Sequence, residues 1–254
     1  MVTRRPEQSA GLAALLAAAG AKIIELPCIE IVDPPTWGPL DASIRKLVAG
    51  HYEWVAFTSA NGAMKFLGRL GCSPDEVFDK VKVAAVGTAT KELLVSKGIT
   101  VDLTPASFTA PALAEALGTG TGRVLLPRAA ETPPEMTELL VANGWTPHEV
   151  AAYRTVPGMP DPVVLAAVRS GGFDVVTFTS ASTVAGFCAL VPPAAVGLEP
   201  PDPPDRLVGC IGPVTARACS DHGMRVDVVA EVHTNAGLVE ALADLAPWDA
   251  NIGG

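Results

Sequence analysis

The chain repeats itself. Val86-Gly87-Thr88-Ala89-Thr90 corresponds to Ile211-Gly212-Pro213-Val214-Thr215, and Gly98-Ile99-Thr100-Val101-Asp102 to Gly223-Met224-Arg225-Val226-Asp227, both at an offset of 125 residues. Thr109 through Leu117 corresponds to Thr234 through Leu242 at the same 125. Phe57-Thr58-Ser59-Ala60 matches Phe178-Thr179-Ser180-Ala181 at 121, and Arg4, Leu15, Leu16 and Gly20 match Arg128, Leu139, Leu140 and Gly144 at 124. Five collinear matches exclude coincidence, and the small changes of offset fall in connecting loops. Split between two copies, 254 residues make two units of ordinary domain size. Whatever one copy folds into, the other must fold into as well.

Each copy alternates short apolar runs with helical patterns. Glu53–Phe57, Val81–Val86 and Ile99–Leu103 predict strands in the first copy; Asp174–Phe178, Leu207–Ile211 and Val226–Val229 predict their counterparts. Thr109 is placed as the N-cap of a helix from Pro111 to Leu117, and Gly98 closes the helix before it. Short strands joined by crossover helices give parallel sheets covered on both faces. The predicted class is α/β, with two similar parallel-sheet domains. One segment in each copy departs from the scheme: Ile23–Ile31 and His148–Thr155 read as extended. The first runs into Pro34-Pro35 and the second into Pro157 and Pro160. Proline so placed ends regular structure, so these are the expected domain boundaries and hinges. The residues alone leave open whether each copy folds by itself or exchanges its first β-α unit with the other.

Met1 to Gly20 mimics an export signal, with Arg4-Arg5 before an Ala/Leu-rich run. Glu7 and Gln8 interrupt it, Leu12, Leu15, Leu16 and Ala19 follow helical spacing, and the same pattern recurs in mid-chain where no signal can be. No apolar run approaches the roughly eighteen residues of a membrane span. The expectation is a soluble, cytoplasmic protein. Acids outnumber bases 27 to 18, and phosphate backbones need the opposite surplus, so nucleic acid is not an expected partner. Five cysteines without a C-x-x-C read as reduced thiols, and the four histidines show no metal-ligand spacing.

Common catalytic signatures are missing, G-x-x-x-x-G-K-[ST], H-E-x-x-H and G-x-S-x-G among them. Gly118-Thr119-Gly120-Thr121-Gly122 imitates a dinucleotide loop but follows a helix and precedes a strand, the reverse of what pyrophosphate binding requires. What remains is a set of strand-to-helix loops rich in small polar residues. They are Thr58-Ser59-Ala60-Asn61-Gly62, Gly87-Thr88-Ala89-Thr90, Thr179-Ser180-Ala181-Ser182 and Gly212-Pro213-Val214-Thr215, with the turns before Thr109 and Thr234. Such loops lie at the carboxyl ends of parallel strands, where α/β proteins bind ligands, and helix N-termini favour anions. Each Ser or Thr taken singly reads first as a helix cap. Collectively the loops suit a polycarboxylate held by neutral donors, which an acidic protein needs.

The motifs then resemble a family. Thr3-Arg4, the Phe57–Gly62 loop, Val86-Gly87-Thr88-Ala89-Thr90, Leu126-Pro127-Arg128 and Ala152-Tyr153-Arg154-Thr155 come in order. Phe178-Thr179-Ser180, Ile211–Ala216 and Thr234–Leu238 complete the set, and over nearly its whole length the chain resembles the uroporphyrinogen-III synthases. The resemblance implies two α/β domains, residues 1–33 with 157–254 and residues 36–149. Linker strands within 26–35 and 150–160 would join them, Leu26–Val32 against Val150–Val156. It implies an enzyme that removes water from linear hydroxymethylbilane and closes the macrocycle through a spiro intermediate, with the fourth ring inverted. No cofactor or metal is implied. Tyr153 is then placed as a general acid for the leaving hydroxyl, or else packs in the ladder with its hydroxyl in water. Thr90 and Thr215 become equivalent carboxylate donors, joined by Thr58, Ser59, Asn61, Gly87, Thr88, Thr109, Ser180, Ser182, Gly212 and Thr234. Arg4 and Arg128 are candidate carboxylate partners, a surface role being the default for a lone arginine. Only Met1-Val2 precedes Thr3, whereas a whole strand, Arg123–Leu126, precedes Pro127. The first strand therefore reads as short, as if the chain were cut from a longer protein, in this family a fusion with a uroporphyrinogen methyltransferase. A monomer is expected. The alternative is a non-catalytic two-lobed binding or sensor module for a polycarboxylate.

Overall fold

The computed structural model describes residues 1–200 and 205–245. The chain divides into two compact units, one of Met1–Glu30 with the chain from Val156 onward, the other Ile31–Thr155. It opens with α1 (Pro6–Ala18) and β1 (Ile29–Val32). The continuous unit then runs α2 (Gly38–Val48), β2 (Trp54–Phe57), α3 (Ala60–Arg69), α4 (Pro74–Phe78), β3 (Lys82–Ala85) and α5 (Thr88–Ser96). It continues through α6 (Ala110–Leu117), β4 (Arg123–Ala129) and α7 (Glu135–Ala142) into β5 (Thr146–Pro157). The chain returns through α8 (Pro162–Arg169), β6 (Val175–Phe178), α9 (Ala181–Leu190), a 3-10 turn, β7 (Leu207–Cys210), α10 (Pro213–Asp221), β8 (Val228–Val229) and α11 (Asn235–Leu245). The class is α/β. No described helix is long and apolar enough to cross a membrane.

Strand order is β1-β5-β4-β2-β3 in one sheet and β6-β7-β8 in the other, and the pairs β2–β3, β2–β4, β4–β5, β6–β7 and β7–β8 are all parallel. Alternation puts Val55, Phe57, Val83, Ala85 and Leu125 on one face, packed against Ile44, Ala63, Phe66 and Leu94 of the helices. Ala56, Ala84, Val124 and Leu126 fill the other face with Leu113, Leu117, Met136 and Leu140. The discontinuous unit is built likewise, Val176, Phe178 and Val208 meeting Phe187 and Cys219 on one side. Val175 and Val228 meet Leu12, Leu16, Leu238 and Leu242 on the other.

The same contacts recur in both units. Phe57 and Phe66 meet edge to face at 5.5 Å, Phe178 and Phe187 at 5.4 Å. Asp102 Oδ2 accepts from the Val83 N–H at 2.7 Å, as Asp227 Oδ2 does from Val208 at 2.7 Å. Leu126 pairs with Glu149 in β4–β5, and Val2 bridges Glu25; Ala84 bridges Leu103, and Gly209 pairs with Val228. The first strand is short, a single bridging residue, Val2, between Glu25 and Thr177.

Several expected elements differ. The strand expected over Ile99–Leu103 reduces to the bridge at Leu103: the Val83 N–H goes to the Asp102 side chain, while the Asp102 and Leu103 N–H groups share the one Val83 carbonyl. Within Ile23–Ile31 only the residues from Ile29 on, where β1 begins, and a bridge at Glu25 are strand. Leu12 and Leu16 are buried, but Leu15 is 39% exposed, so the apolar stripe of α1 is narrower than its spacing implies. Helix α2 begins at Gly38, three residues past Pro35. Gly118–Gly122 is a packing turn: a Cβ on Gly120 would lie 2.1 Å from the Trp145 ring, and one on Gly122 2.3 Å from Glu53 Oε2.

Candidate functional site

In the continuous unit the β2–α3 loop starts at Thr58, half-buried, and Ser59 caps α3 from an extended backbone, accepting the Gly62 N–H at 3.0 Å. Asn61 is half-buried in the first turn. The start of α3 is pressed on β4, since a Cβ on Gly62 would lie 2.8 Å from the Pro127 carbonyl oxygen. After β3, Gly87 caps α5 without any side-chain acceptor for the first N–H groups. Here glycine answers a close approach, because a Cβ would come 3.1 Å from the Phe108 ring. Thr88 is exposed on the first turn and Thr90 is buried. Thr109 caps α6, accepting from Ala112 at 3.2 Å.

Tyr153 reaches this end of the sheet through a bulge. Arg128 pairs with Ala151, yet the next residue, Ala129, pairs with Tyr153, so Ala152 is extra. In a regular strand Tyr153 would face away from Val150 and Ala152, but all three are buried in the same cluster, with Ala63 and Phe66 of α3. The Tyr153 hydroxyl lies 3.1 Å from Ser59 Oγ. Ser59 is therefore at once a helix cap and the neighbour of the candidate acid.

Arg128 is 4% exposed. Nη2 donates to the Pro133 carbonyl at 3.4 Å and Nη1 lies 3.8 Å from Glu149 Oε2, while Nε and Nη1 have no hydrogen-bond partner among the described residues. Burial pushes the guanidinium below its usual value, with Glu149, Tyr153 and Glu135 pulling the other way. Idle donors on a buried cation are costly unless something anionic uses them. Glu149, which also takes the Thr137 hydroxyl, was not among the expected residues. Nor was Phe108. An aromatic or imidazole ring directly before the capping threonine in both copies, Phe108-Thr109 and His233-Thr234, was the available signal.

The discontinuous unit repeats the loops without the acid. Ser180 caps α9, accepting from Thr183 at 3.3 Å, and its Oγ lies 3.0 Å from Ser182 Oγ. Gly212 caps α10 with its would-be Cβ 3.2 Å from the His233 ring, and Thr215 is as buried as Thr90. Thr234 is exposed and accepts from Gly237 at 3.1 Å. Arg4, half-buried, donates to the Thr179 carbonyl at 3.5 Å. At the 124-residue offset, Ile29 stands where the other copy has Tyr153.

Ser59, Thr109, Ser180 and Thr234 are thus all caps, and Ser180 also donates to Thr183 Oγ1 at 3.4 Å, whereas α5 and α10 present backbone N–H groups at glycine. An open cavity of about 860 Å³ lies at the opposite, amino ends of β2, β3 and β4, lined by Tyr52, Lys82 and Arg123 among others, and contains none of the candidate residues. Among the described residues no group of three or more His, Cys, Asp or Glu could hold a metal ion.

A family model described as uroporphyrinogen-III synthase HemD matches residues 10–240. A uroporphyrinogen-III synthase of Synechococcus elongatus is 33% identical over 256 residues, covering 97% of this chain and 94% of that one. The porphyrin biosynthesis protein HemD of Ruminiclostridium josui is 30% identical over 251 residues; these cover 96% of this chain but 48% of that longer protein. Among solved structures, a mutant uroporphyrinogen III synthase from the extremely thermophilic bacterium Thermus thermophilus is similar in fold, with a TM-score of 0.70 at 18% identity over 96% of each chain.

Proposed function

The chain belongs to the uroporphyrinogen-III synthase family, lyases of tetrapyrrole biosynthesis, and we propose that it dehydrates hydroxymethylbilane with Tyr153 as the acid. The observation that carries this is the Tyr153 hydroxyl set beside Ser59 at the carboxyl end of the parallel sheet. Loss of hydroxide from the substrate needs a proton donor, and the cation it leaves needs no nucleophile from the protein. The substrate's carboxylates are taken by backbone N–H groups at Gly87 and Gly212 and by Thr88, Thr90 and Thr215. Hydroxyls of Thr58, Thr109, Ser180, Ser182 and Thr234 and the amide of Asn61 add donors. Arg128 offers a carboxylate its two idle nitrogens, and Arg4 is a further cation. Neutral donors dominate, which suits an acidic chain of net charge -9. No cofactor or metal enters this scheme.

The architecture is read as a duplication: residues 1–33 with 157–254 form one copy, 36–149 the other, and extended segments within 26–35 and 150–160 link them. The paired Phe–Phe contacts and the paired Asp102 and Asp227 bonds support that reading. The working form is taken as a cytoplasmic monomer, and five free cysteines suit a reducing compartment.

The test is isomer analysis of the product. The protein should divert hydroxymethylbilane from the type I to the type III isomer. Thr90→Ala and Thr215→Ala should each slow this roughly fivefold, the worth of one bond of about 1 kcal/mol, with unfolding midpoints little changed. A product that stays type I in the presence of the protein would sink the proposal.

A further inference from the structure

We infer that Ser59 is a positioning residue for proton donation: its hydroxyl, fixed by the first turn of α3, holds the Tyr153 oxygen and steadies the phenolate formed when the proton leaves. The inference rests on the reading of Tyr153 as the acid. It starts from the hydrogen-bond inventory of Ser59. Oγ lies 3.0 Å from the Gly62 nitrogen and 3.1 Å from the Tyr153 oxygen. The Gly62 N–H occupies one lone pair, leaving one lone pair and the hydroxyl proton. While Tyr153 is protonated either hydroxyl can donate. When Ser59 donates, the phenol proton is free to point at another acceptor. Once that proton has gone only Ser59 can donate, and the bond becomes charge-assisted and stronger. An interaction that strengthens as charge develops lowers the barrier instead of merely binding the substrate.

Two further features act in the same direction. Ser59 caps a ten-residue helix whose positive end lies at the Tyr153 oxygen, and that end favours a developing anion. The bulge at Ala152 is what turns the tyrosine toward α3. The discontinuous unit supplies the contrast. Ser180 caps α9 in the same manner, but its Oγ meets Ser182, and Ile29 holds the position corresponding to Tyr153. Helix capping alone therefore accounts for a serine there, whereas the contact with a phenol is confined to one copy.

Atoms and electrons balance in the step. The Tyr153 O–H bond breaks and its proton passes to the hydroxymethyl oxygen of the substrate. The C–O bond breaks with its electron pair on oxygen, water departs, and the pyrrole nitrogen's pair stabilises the carbon as an azafulvenium cation beside the phenolate. The one proton shed when the macrocycle closes returns to Tyr153.

The experiment compares kcat and KM for Ser59→Gly, Ser59→Thr, Tyr153→Phe and the double variant Ser59→Gly/Tyr153→Phe, with hydroxymethylbilane as substrate. Glycine is nearly as good as serine at an N-cap, so Ser59→Gly removes the hydroxyl and keeps the helix. Tyr153→Phe should lower kcat about a hundredfold. Ser59→Gly should lower it about tenfold at nearly constant KM, and Ser59→Thr should restore most of the loss. The double variant should be no slower than Tyr153→Phe alone. Losses that multiply in the double variant overturn the inference, as does a raised KM with unchanged kcat in Ser59→Gly, because the serine then acts independently of the tyrosine. Full kcat in Ser59→Gly beside an impaired Tyr153→Phe removes the inference and leaves the acid in place. Full kcat in Tyr153→Phe removes the acid itself.

Discussion

Cys28, Cys210 and Cys219 are buried in the core of the discontinuous unit, with Cys188 partly buried beside them, and Cys210 Sγ lies 3.5 Å from Cys219 Sγ. Burial pushes the Cys28 thiol up to about 12, helped by Cys188, and the Cys188 thiol up to about 11, helped by Cys219. The bond with Cys210, then burial, raises Cys219 further. Only the thiolate is a nucleophile, so raised values mean unreactive sulfur at neutral pH. Native protein treated with iodoacetamide at pH 8 should therefore lose one thiol, the exposed Cys72, and all five after denaturation. As pH rises toward 11, Cys188 should react before Cys28. Mass spectrometry showing Cys210 or Cys219 alkylated as fast as Cys72 would contradict this account of the core. At this scale the sequence was informative about chemistry and poor about partners. It offered Ser59, Thr109, Ser180 and Thr234 as caps or as ligand donors, and all four cap their helices. It marked Arg128, but the idle guanidinium nitrogens follow from Pro133 and Glu149 lying where they do, which no local pattern encodes.

Helix α3 shows how much an element owes to its neighbour. Its two glycines have the same intrinsic cost in a helix, yet Gly62 lies against the β4 backbone, with the Pro127 oxygen 2.8 Å from a would-be Cβ, and Gly68 has nothing within 4 Å. Gly62→Ala should destabilise by about 1–3 kcal/mol, since a backbone carbonyl cannot yield as a side chain can. Gly68→Ala should stabilise by about 0.5 kcal/mol through helix propensity alone. Urea midpoints moving in opposite directions would bear this out; two shifts of the same sign would mean that α3 is not held against β4 at Gly62. Strands and helices of regular period were legible: β2, β3, β6 and β7 lie inside the expected spans, and Gly20 ends α1 with a φ of 94°. Elements set by tertiary contacts were not. Alternation along β5 assigns Tyr153 to the wrong face, because the extra residue at Ala152 exists only relative to the register of β4. The α2 segment follows Pro34-Pro35 and opens with Gly38-Pro39, so its start resembles a linker. Leu40, Ile44 and Leu47 packed on the sheet are what make it a helix.

For the molecule as a whole, the repeat alone fits two contiguous halves as well as two units that share the chain's beginning and end. Burial separates these possibilities physically. The clusters of the continuous unit draw only on residues from Ile31 to Tyr153. Those of the other unit draw on Met1, Val2, Leu12, Leu16, Leu26 and Cys28 together with residues from Val164 onward. Four of the early residues, Val2, Leu12, Leu16 and Leu26, are at most 3% exposed. Burying each contributes about 1.5–3 kcal/mol, so together they supply roughly 6–12 kcal/mol. That is the size of a domain's entire net stability, about 5–15 kcal/mol. A fragment of residues 31–155 should therefore fold alone, with a cooperative thermal transition and a native helix signal. The chain from Val156 onward should stay unfolded alone and gain structure when a peptide of residues 1–30 is added, more so with excess peptide because binding draws the equilibrium toward the folded form. Replacing Leu12 and Leu16 in that peptide by Ala removes two of the four buried side chains and should abolish the rescue. A fragment from Val156 that folds cooperatively without the peptide would show that residues 1–30 only decorate its surface, against the burial of Val2, Leu12, Leu16 and Leu26.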